Sequence, residues 1–467
     1  MEEVLRGKAH IGTDGEERIM ALSGMLADEP ANIHDVFVHA DFPYPEITLE
    51  NGERVKIDQA GFQRLRASSN RPDRKKVFAA FLVRFNDFRR TFGAQLNAQL
   101  RKDLFYAKAR NYKSCLESSL GGDNIPVAVY TSLVDNIDRN LGAFHRYLQL
   151  RKRILGVEQL HGYDLSVPLL AGVGPEYPIE EAKKYLLAAF KPLGQDYISA
   201  VKKAFAQRWI DVYANAGKRS GGYANGWAYD VHPYILANYN NGYDDMSGLA
   251  HELGHAMHFY LSNTHQPFAL AAPPRFVVEV AATFNEALLL DHMLKSITDD
   301  RERLSLLARF LENIAITVFR AAQISEFELR IHEMVEKGDQ LTGDLLNDLY
   351  LKIAKKYHGH DQQICVVDDE TKSGWMSIPQ LYSSFYAYQY AMAYTASAAL
   401  SELVLGGDLA ATERYGGFLS SGGSDYAINL LKKAGVDMTT SKPFELTIRK
   451  MNRAMDEMER ILGRMGK

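Results

Sequence analysis

Cysteine is nearly missing from this chain: 467 residues carry only Cys115 and Cys365, far apart in sequence. So sparse a supply suits a reducing interior better than a secreted, disulfide-built scaffold. An excess of one charge is missing too, since 54 basic residues face 58 acidic ones, and a net charge of -4 gives no reason to expect nucleic acid or an anionic membrane as a partner. Long apolar runs are also lacking. The nearest, Tyr390 to Leu405, is interrupted by Ser397, Ser401 and Glu402 and reads as a tightly packed helix rather than a membrane span. The opening MEEVLRGKAHIGTDGEERIM has no apolar core behind a basic start, so no secretory leader is expected. No internal repeat or low-complexity tract occurs. These absences predict a cytoplasmic globular protein, and its length predicts two or three packed subregions.

What is present is helical pattern. Apolar residues three and four apart recur through 74–113, Val127 to Leu155, Ile179 to Tyr213, Asp300 to Val335, Leu341 to Tyr357 and Pro443 to Leu462. Gly121–Gly122, the Gly- and Pro-rich loop 172–178 and Gly422–Gly423 punctuate the helices, the last read as a plain loop. One stretch differs. GKRSGGYANGWAYDVHPYILANYNN, residues 217–241, is crowded with Gly, Asn and Tyr. Within it His232 to Tyr239 is β-prone, with Pro233 where an edge strand tolerates it, which predicts a small sheet in a mainly helical protein.

HELGH follows at 251–255. Four residues of helix turn through roughly 400°, so His251 and His255 stand one turn apart on one face and can grip one metal ion. Glu252, beside that face, is placed to take a proton from water that a bound zinc has acidified, the step that turns water on a carbonyl. With ordinary His and Glu frequencies, chance supplies such a pattern roughly 0.03 times in a chain this long. His258, three residues beyond His255, either supports the site from behind or is a buried core histidine. A catalytic zinc needs a third protein ligand. Downstream, FVVEVAATFNEALLLDHML puts Glu279 and Glu286 on one side of a helix, two turns apart. A lone carboxylate on an apolar face needs a partner, which makes Glu279 the natural third ligand. Glu286 either orients a ligand histidine or forms a surface ion pair.

These segments carry a resemblance. HELGHAMH, the preceding GKRSGGY and HPYILANYN, and the following FVVEVAATFNEALL resemble the thimet-oligopeptidase-like M3 zinc metallopeptidases, in particular the oligoendopeptidase F branch. LFYAKARNYKSCLESSL, YDLSVPL, FYAYQYAMAYTASAAL and LSSGGSDYAINLLKKAGVDM extend the likeness over essentially the whole chain. The resemblance implies a mainly α, two-lobed helical zincin of the gluzincin type, with a small sheet beside the active-site helix and a deep channel for short peptides. It implies an N-terminal helical segment at 1–70 and a catalytic domain at 71–467, the zinc core lying at about 217–295. One Zn2+ per chain falls on His251, His255 and Glu279, with Glu252 as base. The strand before the zinc helix, with His232 and Tyr234, is expected to pair with substrate backbone. Members of this branch carry a further N-terminal helical region ahead of the part matched here.

In this family hydroxyls of a tyrosine-rich segment face the scissile carbonyl. Here the segment reads WMSIPQLYSSFYAYQY, and Tyr388, then Tyr382, are the candidates, against a plain packing role. Gln380 stands where the family often has histidine, so a neutral amide replaces a cationic donor near the substrate. The reaction implied is hydrolysis of internal bonds in short, unstructured peptides, with no nucleic acid and no membrane as partner. Two other readings remain at this point. A metallocarboxypeptidase on a related scaffold needs a basic residue for the C-terminal carboxylate, for which Arg219 and Arg275 are available, and a peptide with a blocked C-terminus separates it from an endopeptidase. A non-catalytic peptide-binding module fits poorly with HELGH and Glu279 kept together.

Overall fold

The structure, a computed structural model, describes residues 2–170 and 174–466, so Gly172 and Val173 of the expected loop lie outside the described residues. The fold is mainly helical with two small sheets, as expected. The chain divides into two compact units, each gathered from three stretches: Met1–Gly122, Leu141–Leu169 and Arg320–Tyr388 in one, Asp123–Asn140, Leu170–Phe319 and Gln389–Lys467 in the other.

In the first unit the helix Arg71–Asp87 starts where Asn70 accepts the Asp73 N–H and Pro72 occupies the first turn, whose N–H groups need no helical partner. Its Phe81 and Phe85 rings pack at tilted angles into a buried cluster with Phe42 and Phe92 in the core of this unit. The hairpin strands β1 (Glu46–Thr48) and β2 (Arg54–Lys56) pair antiparallel with Ile47 opposite Val55. Asp164, wholly buried, is held by Arg71 and Arg74 at 2.9 Å each. Burial alone would raise its carboxyl, but the two guanidiniums hold it below the usual range.

The second unit is built on two long helices, Tyr243–His265 and Arg275–Ser296, with Asp300–Ile314 and the C-terminal Lys442–Arg464 also belonging to it. Its sheet has strands β3 (Ile210–Asp211), β4 (Tyr223–Asn225) and β5 (Tyr234–Leu236) in the order β3-β5-β4. β5 runs parallel to β3 and antiparallel to β4.

Several sequence expectations are corrected here. The stretch 74–113 divides at Phe88 into Arg71–Asp87 and Arg89–Ala109, and 127–155 divides at Asn140. The stretch 179–213 is broken at Pro192, which has no N–H to donate, and its end turns into β3. Most consequential, the HPYILANYN strand is not the edge. β5 lies in the middle with Ile235 buried, and β3 and β4, the latter within GGYANG, form the two edges. Pro233 stands just before β5, so its missing N–H removes no ladder bond.

Candidate metal centre

The helix Tyr243–His265 begins where Asp245 accepts the Gly242 N–H at 2.8 Å, and Asp244 and Asp245 in its first turn complement the positive end of its dipole. Two turns on, His251 and His255 share a face, with their Nε2 atoms 3.1 Å apart. Glu279, from the helix Arg275–Ser296, places Oε2 at 3.6 Å from His251 Nε2 and Oε1 at 3.9 Å from His255 Nε2. All three offer a donor atom within 4.8 Å of the others, the one such group of three among the described residues.

Small residues let these helices meet. A Cβ on Gly254 would lie 2.5 Å from both the Ala281 carbonyl oxygen and Ala282 Cα. The glycine inside HELGH therefore sets how closely Glu279 can approach the histidines.

Glu286 Oε1 sits 2.5 Å from His251 Nδ1. Although burial opposes it, this bond and the neighbouring carboxylates push the His251 imidazole up to about 8. His255 is pushed down to about 3 by burial and by the nearby His251 and His258 rings, so it is a neutral imidazole with a lone pair to give. Glu252 lies beneath β4: a Cβ on Gly222 would be 3.3 Å from its Oε1, and the Ala224 backbone bonds to it. Its Oε2 is buried and has no hydrogen-bond partner among the described residues. Two imidazole nitrogens and a carboxylate converging on one point fit a borderline cation such as zinc.

The other expected residues have surroundings of their own. His258 is buried against Phe418, ring centres 5.3 Å apart, and burial pushes it down to about 4. His232 stacks on Trp209 at 4.8 Å and beside Tyr234, which is exposed. Gln380, Tyr382 and Tyr388 belong to the first unit. Gln380 is half-buried in the turn Pro379–Tyr382, and its carbonyl accepts the Ser383 N–H at 2.9 Å. Tyr382 packs on His34 at 4.2 Å, and its buried hydroxyl has no partner among the described residues. Tyr388 is buried at the start of the helix Tyr388–Leu405. Gly422, with φ +49, is pinned under the Leu270 carbonyl beside Ser262, so this turn is tied to the end of the HELGH helix.

Sequence reading missed a cavity of about 430 Å³ next to His251 and Glu286, lined also by Arg309, Tyr394 and Lys450. Those residues come from separate helices, and no local pattern joins them. The role of Gly254 did have a signal, a glycine inside an otherwise strong helical motif.

Two histidines one helical turn apart, a facing glutamate and a second carboxyl beside them are the arrangement of a metallopeptidase. More narrowly, the chain belongs to peptidase family M3, whose model matches residues 64–450. It is similar to oligopeptidase PepF of Bacillus subtilis, 39% identical over 462 residues that cover 99% of this chain and 68% of that protein. It is similar to an oligoendopeptidase F homolog of Lactococcus lactis, 33% identical over 99% of this chain and 76% of that one. The crystal structure of oligoendopeptidase-F from Enterococcus faecium superposes with a TM-score of 0.83 at 32% identity, covering 99% of this chain and 77% of the other.

Proposed function

We propose that the chain is a zinc endopeptidase that hydrolyses internal bonds of short, unstructured peptides. The observation that carries this is the convergence of His251, His255 and Glu279 beside Glu252. The three would hold one Zn2+, and Glu286 would fix the tautomer and ring angle of His251 through its 2.5 Å bond. Bound there, zinc supplies Lewis acidity, which acidifies water and polarises a carbonyl. Glu252 takes the proton of the attacking water and returns it to the departing amine. His258 supports the site only indirectly, by packing the same helix against Phe418.

The free side of β4 offers backbone groups to an extended peptide next to Glu252, while Tyr234 and His232 on and before β5 stand ready for its side chains. An edge strand accepts only extended backbone, which is why the substrates are short and unfolded. Hydroxyls of Tyr382 and Tyr388, with the Gln380 amide, are assigned to the carbonyl oxygen as it gains charge. Two buried free cysteines support a cytoplasmic setting. No helix among the described residues is long and apolar enough to cross a membrane.

A quenched fluorescent peptide assay tests this reading. Activity should vanish with chelator, return with zinc, and persist on peptides amidated at the C-terminus. Cleavage by the chelated protein at the original rate would overturn it.

A further inference from the structure

Ser384 and Phe385, two of the three residues between Tyr382 and Tyr386, are held in an unusual way, entirely within the first unit. Phe385 has φ +56, a left-handed conformation that a bulky residue adopts only under constraint, yet its side chain is 2% exposed. The constraint is visible. The Phe385 N–H donates to Glu328 Oε1 at 2.6 Å, and Glu328 itself is 1% exposed. One residue earlier, the Ser384 hydroxyl donates to Asp103 Oδ2, while its carbonyl accepts from Ser119 Oγ at 3.1 Å. His332 ties the two anchors together. Its Nδ1 faces the Glu328 carbonyl at 2.8 Å, its Nε2 faces Asp103 Oδ2 at 3.2 Å, and its ring lies 4.2 Å from that of Phe385. Both ring nitrogens meet acceptors, so the imidazolium is the form that satisfies both. Burial alone would lower its pKa, but Asp103 and Glu328 raise it overall.

A buried carboxylate, a buried histidine and an aspartate whose side chain is only 13% exposed are an expensive way to hold an ordinary loop, since charge had to be taken largely out of water. What they hold is the turn from which Tyr382 departs on one side and Tyr388 on the other. We propose that Glu328 is a positioning residue for the reaction, fixing residues 384–385 in one conformation so that the hydroxyls of Tyr382 and Tyr388 are presented at a set angle. This rests on the reading that those hydroxyls serve the scissile carbonyl.

The test uses the full chain loaded with zinc. Glu328→Ala should lower kcat on the order of tenfold, as misplaced groups do, with KM and zinc content unchanged. Glu328→Gln should recover most of the loss, because its amide oxygen still accepts the Phe385 N–H. In a Tyr382→Phe/Tyr388→Phe background Glu328→Ala should cost nothing more, since there is no hydroxyl left to position. Ser384→Ala, which removes the bond to Asp103 and the one accepted from Gln99 Nε2 but little volume, should show a smaller kcat loss that disappears in the same background, and it serves if Glu328→Ala fails to fold. Parental kcat in folded Glu328→Ala or Ser384→Ala, or a loss that persists in full without the tyrosine hydroxyls, would overturn the proposal. If the double phenylalanine variant itself keeps parental kcat, the tyrosine reading falls and this one with it. Tyrosine losses without a Glu328 or Ser384 effect sink the positioning role alone.

Discussion

Gly254 lies so close to Ala282 that a methyl group on the glycine would stand 2.5 Å from its Cα and equally near the Ala281 carbonyl oxygen. That contact decides the separation of the two helices, and through it the 3.6 Å and 3.9 Å approaches of Glu279 to His251 and His255. Helix propensity alone would favour alanine at this position by about 1 kcal/mol, so the glycine is present for spacing and not for local structure.

Gly254→Ala should therefore destabilise the fold by about 1–3 kcal/mol, as overpacking does. It should also weaken zinc roughly tenfold or more by moving Glu279 away. Denaturant unfolding and competition with a chelator measure the two effects. Parental zinc affinity would show that the helices tolerate the extra methyl without moving the ligand.

Much of the candidate site was legible because its parts are local. His251, Glu252 and His255 are fixed by one helical turn, and Glu279 and Glu286 by another helix with a visible polar stripe. The helical class was legible for the same reason, in three- and four-residue spacing. What was not legible is pairing between strands. Residues 223–225 and 234–236 are three-residue strands, too short for alternation to say which lies inside, and β5 took the centre although Pro233 marked it as an edge. The tyrosine turn was visible as composition, but Glu328, Asp103 and His332 that hold it come from positions 57 and 281 residues away from their partners and beyond, which no pattern in one sequence connects.

Glu252→Gln should bind zinc as the parent does, because the amide preserves shape while removing the base. Activity should fall by about 10²–10⁴-fold, the usual worth of a general base. Zinc analysis beside the peptide assay separates a lost base from a lost metal. Near-parental cleavage by the zinc-loaded variant would remove Glu252 from its assigned role.

Asp164 supplies an acid-sensitive support to the first unit. Its folded pKa lies below its unfolded value because Arg71 and Arg74 outweigh the cost of burial. Its stabilisation is therefore present above the unfolded carboxylate pKa, about 3.9, and is lost as pH falls through the folded one. Asp164→Asn should cost about 3–5 kcal/mol at neutral pH, since it leaves the 4%-exposed Arg74 without a charge partner, and should flatten the acid limb of the stability profile. Urea melts between pH 3 and 7 record both. An unchanged acid limb would place the pH dependence elsewhere.

Glu286 tests the second layer of the metal site apart from the first. Its Oε1 meets His251 Nδ1 at 2.5 Å, which favours the proton on Nδ1 and turns Nε2 toward Glu279, where a metal would be held. Glu286→Ala should leave all three ligands in place but release the ring to rotate and to adopt the wrong tautomer. Zinc affinity should fall about 10–100-fold, the common effect of losing such a partner. Glu286→Gln should fall less, because its amide oxygen still accepts the Nδ1–H while the charge that strengthens the ligand is gone. Glu279→Ala, by contrast, should abolish stoichiometric binding, since a ligand atom itself is removed. The ordering parent, Glu286→Gln, Glu286→Ala, Glu279→Ala in zinc affinity is the expected result. Equal affinity of Glu286→Ala and the parent would show that the short contact with His251 is an ion pair without influence on the metal.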